Sequence, residues 1–230
     1  EFGFGFVSVS LALLADAGHN ASDVVGLLLA WGASFLARRQ PSQKYTFGLR
    51  RATIYAAFLN AILLLAACAV ILWEAVCRLS DPTPVAGLTM IAVAAIGVVI
   101  NTATAMLFMR GSKQDANVRG AFLHMAADAA VSVGVVLAGV TILATGIGWI
   151  DPVVSIIIVI VIAWGTWDLF TESLGLAMDA VPRHIDISEL TDALVEIPGV
   201  LEIHNLHVWG MSTSEVMLTA HLVIVDSSRQ

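Results

Sequence analysis

Apolar residues in this chain come in long blocks rather than in the short alternations of a soluble fold. The blocks run over about residues 8–37, 52–76, 85–109, 116–145 and 153–170, with polar or turn-rich segments between them. Blocks this long and this poor in charge predict membrane-spanning helices, because about twenty helical residues cross the hydrocarbon of a bilayer. Pro41, the Asp81–Pro84 stretch and the Thr145–Pro152 stretch supply the breaks. Residues 1–7 are too short to span and read as the tail of an earlier helix. After about residue 178 the pattern changes. Pro182 closes the membrane part, and Ile187–Ile197 carries Leu190, Leu194 and Ile197 at helical spacing. Leu201–Trp209 and Glu215–Val225 are strand-like in residue type, with a turn at Gly210–Ser214. The pattern therefore predicts a transmembrane domain over residues 1–178 and a C-terminal domain over residues 179–230. The latter is a helix followed by a β-hairpin, and it reads as incomplete because two strands alone make a marginal sheet.

Composition sharpens this picture. Only 13% of residues are charged, about half the share usual for soluble domains, and the mean hydropathy is +0.88. A net charge of −7 without a dense basic run argues against a nucleic-acid partner. Cys68 and Cys77 share one apolar block and fit neither a zinc knuckle nor a redox pair, so they read as small packing residues. No charged leader followed by a cleavage site opens the chain. Loop charge sets the orientation. Arg38, Arg39, Lys44, Arg50 and Arg51 follow the first block, and Arg110, Lys113 and Arg119 follow the third, whereas the alternate connections hold only Arg78. The two basic segments therefore face the cytoplasm, and so does everything after the fifth block.

The chemistry lies in two matching motifs. His19 and Asp23 stand four residues apart in the first block, and His124 and Asp128 repeat that spacing in the fourth. On a helix each pair shares one face. Ionisable groups are costly in hydrocarbon and usually pair or line a pathway. Two such helices could surround one divalent ion with two imidazoles and two carboxylates, a set that suits tetrahedral zinc. Two independent His–Asp pairs, each locking its own helix, would explain the residues separately but not the repeated spacing. The helices run in opposite directions. Residue counting puts the first motif in the outer half of its helix and the second in the inner half of its own, so the counting alone does not bring them level.

Leu14-Ala-Asp-Ala-Gly-His-x-x-x-Asp23, His124-x-x-x-Asp128, Tyr45-Thr-Phe-Gly48 after a basic loop, and Gly199-Val-x-x-Ile-His-x-Leu-His-Val-Trp209 occur in that order. Together they resemble the cation diffusion facilitator family, in its zinc-transporting branch, over nearly the whole chain. The resemblance implies a six-helix type α-helical membrane bundle, of which the first helix is mostly missing here, plus a truncated cytoplasmic α+β ferredoxin-like domain. It implies a homodimer in the lipid bilayer of a cell (inner) membrane, if bacterial, exchanging Zn2+ for protons. Co2+ or Cd2+ are further possible cargoes. Carried over by motif, His19 and Asp23 on the family's second helix and His124 and Asp128 on its fifth are the transport-site ligands. Metal and protons compete for such ligands, and an imidazole ordinarily titrates near neutral pH, which suits alternating-access antiport. Some members carry a second site beside the Phe-Gly motif; here Gln43–Arg51 contains neither His nor Asp, so that site is expected to be absent.

Other polar residues are less specific. Asp16, one turn before His19, would be an outer-shell acceptor for the imidazole or an interfacial carboxylate. Asn20 and Ser22 flank the motif but face away from it. Asn60 and Asn101 suit interhelical hydrogen bonds, and Glu74 and Asp168 suit solvation near span ends. In the C-terminal domain, pairing Trp209 with Val216 would set His204 opposite His221 on one face and His207 opposite Leu218 on the other. These would be ordinary polar residues of a half-exposed sheet, or, as the resemblance suggests, His204 and His221 would bind a structural or regulatory Zn2+ with partners from elsewhere. His184 is a weaker candidate. An intramembrane metal-dependent enzyme is the main alternative to transport. It would need an open metal position and a general base, and no His-Glu-x-x-His is present.

Overall fold

The computed structural model describes residues 10–81, 85–109 and 116–225, the side chains of 116–121 excepted. The reading of residues 1–7 and the side chains of Arg110, Lys113 and Arg119 thus lie outside the described residues. Among the described residues five helices come first: α1 (Leu11–Ala37), α2 (Ala52–Ser80), α3 (Gly87–Met109), α4 (Ala116–Thr145) and α5 (Ile150–Ala177). Each is long and apolar enough to cross a membrane, α4 over Phe122–Thr145. They expose large apolar side chains, such as Leu107 and Trp164, as helices solvated by lipid do. The last three elements are α6 (Ile187–Val195), β1 (Val200–Gly210) and β2 (Val216–Ile224).

The chain forms two compact units, residues 1–24 with 63–166 and residues 25–62 with 167–230. In the first, all five long helices feed one apolar cluster. Leu13 of α1, Cys68 of α2, Met90 of α3, Val135 of α4 and Val159 of α5 all belong to it. Small residues allow α3 and α4 to pack closely. A Cβ on Gly139 would lie 2.7 Å from Ile91 Cγ1 and 3.3 Å from the Gly87 carbonyl oxygen. The start of α1 is tied down by a fully buried carboxylate. Asp151, in the first turn of α5, accepts from Ser10 Oγ at 2.6 Å and from the Leu11 and Ala12 amides at 2.8 and 3.2 Å. Those amides have no partner within the helix, so the carboxylate satisfies them and opposes the helix dipole favourably.

In the second unit, the Asn60 side chain fills the space over Gly26, 2.8 Å from where a Cβ would stand, so it does lie between α1 and α2. Phe58 stacks on Phe170 with ring centroids 5.6 Å apart. Arg50 pairs with Glu215 at 3.0 Å, Arg51 pairs with Asp179, and the Thr213 amide donates to Thr53 Oγ1 at 3.2 Å. Asp168 is solvated, at 80% exposure, and pairs with Arg183 at 3.1 Å. In the first unit Glu74 is likewise paired with Arg78 at 3.0 Å. α6 begins at Asp186, whose side chain accepts from the Ser188 and Glu189 amides.

The hairpin register differs from the expected one at its turn end. Gly210, not Trp209, faces Val216, and His207 faces Thr219, not Leu218. A β-bulge between His204 and His207 absorbs the extra residue, with Asn205 at φ 49°. Beyond the bulge the expected register returns, and His204 does face His221.

Candidate metal centre

The two motifs meet. His19 and Asp23 project from α1, and His124 and Asp128 from α4, and each residue offers one ligand atom within 4.8 Å of all the others. Among the described residues this is the one group of three or more His, Cys, Asp or Glu side chains so arranged. Each histidine reaches the carboxylate of the opposite helix. His19 Nε2 lies 3.3 Å from Asp128, and His124 Nε2 lies 3.2 Å from Asp23. Within each helix the distances are longer, 3.9 Å for His19–Asp23 and 3.6 Å for His124–Asp128. Ligand atoms about 2 Å from a tetrahedral zinc ion stand about 3.3 Å apart. The crossed pairs are already at that separation, and only small movements would bring the others to it.

Residue counting had left the motifs at different depths. They are level because the two helices are not cut at the same height. α1 continues well past Asp23 to Ala37, whereas α4 begins only shortly before His124.

Two more residues belong to this face and escaped the sequence reading in this role. Asp16 does not orient the His19 ring: His19 Nδ1 is buried with no hydrogen-bond partner among the described residues. Asp16 instead accepts from Ser132 Oγ at 3.0 Å, and both residues are fully buried. Ser132 follows Asp128 by one helical turn, so the i, i+4 spacing of His124 and Asp128 continues to it. The antiparallel helices thus share three rungs: Asp16–Ser132, His19–Asp128 and Asp23–His124.

The C-terminal histidines make no comparable site among the described residues. His204 lies 3.4 Å from Glu202, and His221 Nδ1 lies 3.4 Å from the Asn205 amide, but no third ligand joins the pair.

Residues 1–176 match the family model for the cation efflux transmembrane domain, and residues 182–229 match that for the cation efflux protein cytoplasmic domain. The chain is 37% identical over 224 residues to a cadmium, cobalt and zinc/H(+)-K(+) antiporter of Bacillus subtilis, covering 96% of this chain and 72% of that one. It is 40% identical over 223 residues to the zinc transporter ZitB of Escherichia coli, covering 96% and 71%. It is 35% identical over 219 residues to the metal cation efflux system protein CzcD of Cupriavidus metallidurans, covering 95% and 69%.

Proposed function

The chain belongs to the cation efflux family, and from that premise we propose that it exports Zn2+ from the cytoplasm in exchange for protons. It is a multi-pass membrane transporter with a cytoplasmic C-terminal domain, so the enzyme alternative is set aside. The travelling ion is held by His19, Asp23, His124 and Asp128. The observation that carries this reading is the convergence of two separate motifs on one point, with crossed His–Asp distances near the edge of a zinc tetrahedron.

The same four side chains serve the proton. Each imidazole faces a carboxylate of the other helix, so a proton on the ring is shared with an acidic oxygen. Zinc needs those same lone pairs and must displace the protons. Binding on the cytoplasmic side releases protons, and reprotonation on the far side releases the ion. Exchange of access between the two sides couples the fluxes. A homodimer fits the match to the cytoplasmic domain, and His204 and His221 are kept as a lesser, regulatory zinc pair within it.

Zinc uptake into inverted vesicles under an imposed pH gradient tests this. Wild-type chain should take up zinc while releasing protons. Zinc affinity should fall as the pH drops from about 8 to about 6. Asp128→Ala should lose uptake by at least about a hundredfold, because the site loses a ligand and His19 loses its nearer carboxylate. Wild-type flux in Asp128→Ala would remove these residues from the transport site.

A further inference from the structure

We propose that the Asp16–Ser132 pair is the outer latch of the transport site, a contact that must part before the ion can leave. This rests on the transport reading above and adds to it two residues that are not ligands.

The argument begins with exposure along the three rungs. Asp16 and Ser132 are both at 0%. His19 and Asp128 stand at 15% and 3%, and Asp23 and His124 at 32% and 45%. Exposure therefore rises steadily in one direction along α1. That direction leads toward Ala37 and the basic segment Arg38–Arg51, the cytoplasmic end. The ligands are open on that side and covered on the other by Asp16–Ser132.

The setting of the pair suits a switch better than a permanent brace. Around it, Ala12, Leu13, Ala15 and Val135 are all at 2% or less, so the outer part of α1 is packed against the other helices. A hydrogen bond in such surroundings is strong while water is excluded, since unmade polar groups there are costly. Once water enters, both groups can be hydrated instead. The contact therefore favours the closed state when dry and little resists opening when wet, which apolar packing alone would not achieve. Ser132 also lies one turn from Asp128, and Asp16 one turn from His19. A change in how the ligands hold ion or protons is thus transmitted along rigid helix to the latch.

A native cysteine reports on this. Cys68 of α2 is buried and lines a small cavity with Ala15, Gly18 and His19. In a Cys77→Ala chain it is the single thiol. The full chain is reconstituted in liposomes, and a membrane-impermeant maleimide is added from the face opposite the basic segments. Labelling of Cys68 should be slow in this background and about fivefold faster after Ser132→Ala, the shift expected for losing one buried hydrogen bond. Ser132→Thr, which keeps the hydroxyl, should restore the slow rate. All three should still bind one zinc per chain in detergent, since the ligands are intact.

An unchanged rate in Ser132→Ala would overturn the proposal. So would equal acceleration from both faces, which marks general loosening. If Ser132→Ala does not fold, Asp16→Asn carries the test. It keeps an acceptor but a weaker one, and should raise labelling by about twofold; no rise would overturn the latch. Absence of zinc flux in the parent chain would instead overturn the transport reading and leave the labelling result standing.

Discussion

His19 and His124 sit on helices that offer apolar side chains to lipid, whereas His204 and His221 sit on a two-stranded hairpin largely open to water. Both sets were candidates for metal binding from the sequence. In the helices, hydrocarbon surrounds these groups and water reaches them from one end at most, so each imidazole is held against a carboxylate. The result is a closed set of four ligand atoms with crossed pairs at 3.2 and 3.3 Å. On the hairpin, water satisfies each histidine separately, and His204 has Glu202 at 3.4 Å. A histidine with a carboxylate at same-face spacing is thus strong evidence of a shared site where water is excluded, and weak evidence where it is not.

The sharpest way to break this contrast is to remove one histidine from each region. His124→Ala should reduce vesicular zinc flux by at least about a hundredfold, while His204→Ala with His221→Ala should leave more than about half. A double variant on the hairpin that stops transport outright would reverse the ranking of the two regions. A smaller effect separates how the two are built. Gly139→Leu would drive a side chain into Ile91 and the Gly87 carbonyl, costing about 1–3 kcal/mol. The melting temperature in detergent should fall by several degrees; an unchanged value would show that α3 and α4 can part without cost. The smallest change belongs to the C-terminal domain. Asp186→Ala removes the acceptor for the Ser188 and Glu189 amides and should cost about 1 kcal/mol. Faster hydrogen exchange confined to the start of α6 would be the sign of it, and exchange spreading into the long helices would contradict the local character of the cap.

Much of this was legible beforehand because the signals were local. Block length marked the five long helices, loop charge marked the cytoplasmic ends, and the doubled His-x-x-x-Asp spacing marked the four residues that cluster. The bulge in β1 also left a trace, since Ile203, Leu206 and Val208 break the strict alternation of a strand. Register was nevertheless set one residue off at the turn, because a bulge depends on one backbone torsion, that of Asn205. Asp151 gave no hint of its task. Its partners at Ser10, Leu11 and Ala12 are on another helix, and nothing nearby in the chain refers to them.

By itself, the sequence determined where the long helices lie, which side of the membrane the C-terminal domain faces, and which two segments carry the His–Asp motifs. These follow from composition and from spacing along one helix, where geometry is fixed by the backbone. Only the tertiary structure decided that the two motifs stand level, that each histidine answers the other helix's carboxylate, and that Asp16 meets Ser132. Those facts depend on how far one helix slides along another, and that is set by packing over their whole length rather than by any short run of residues.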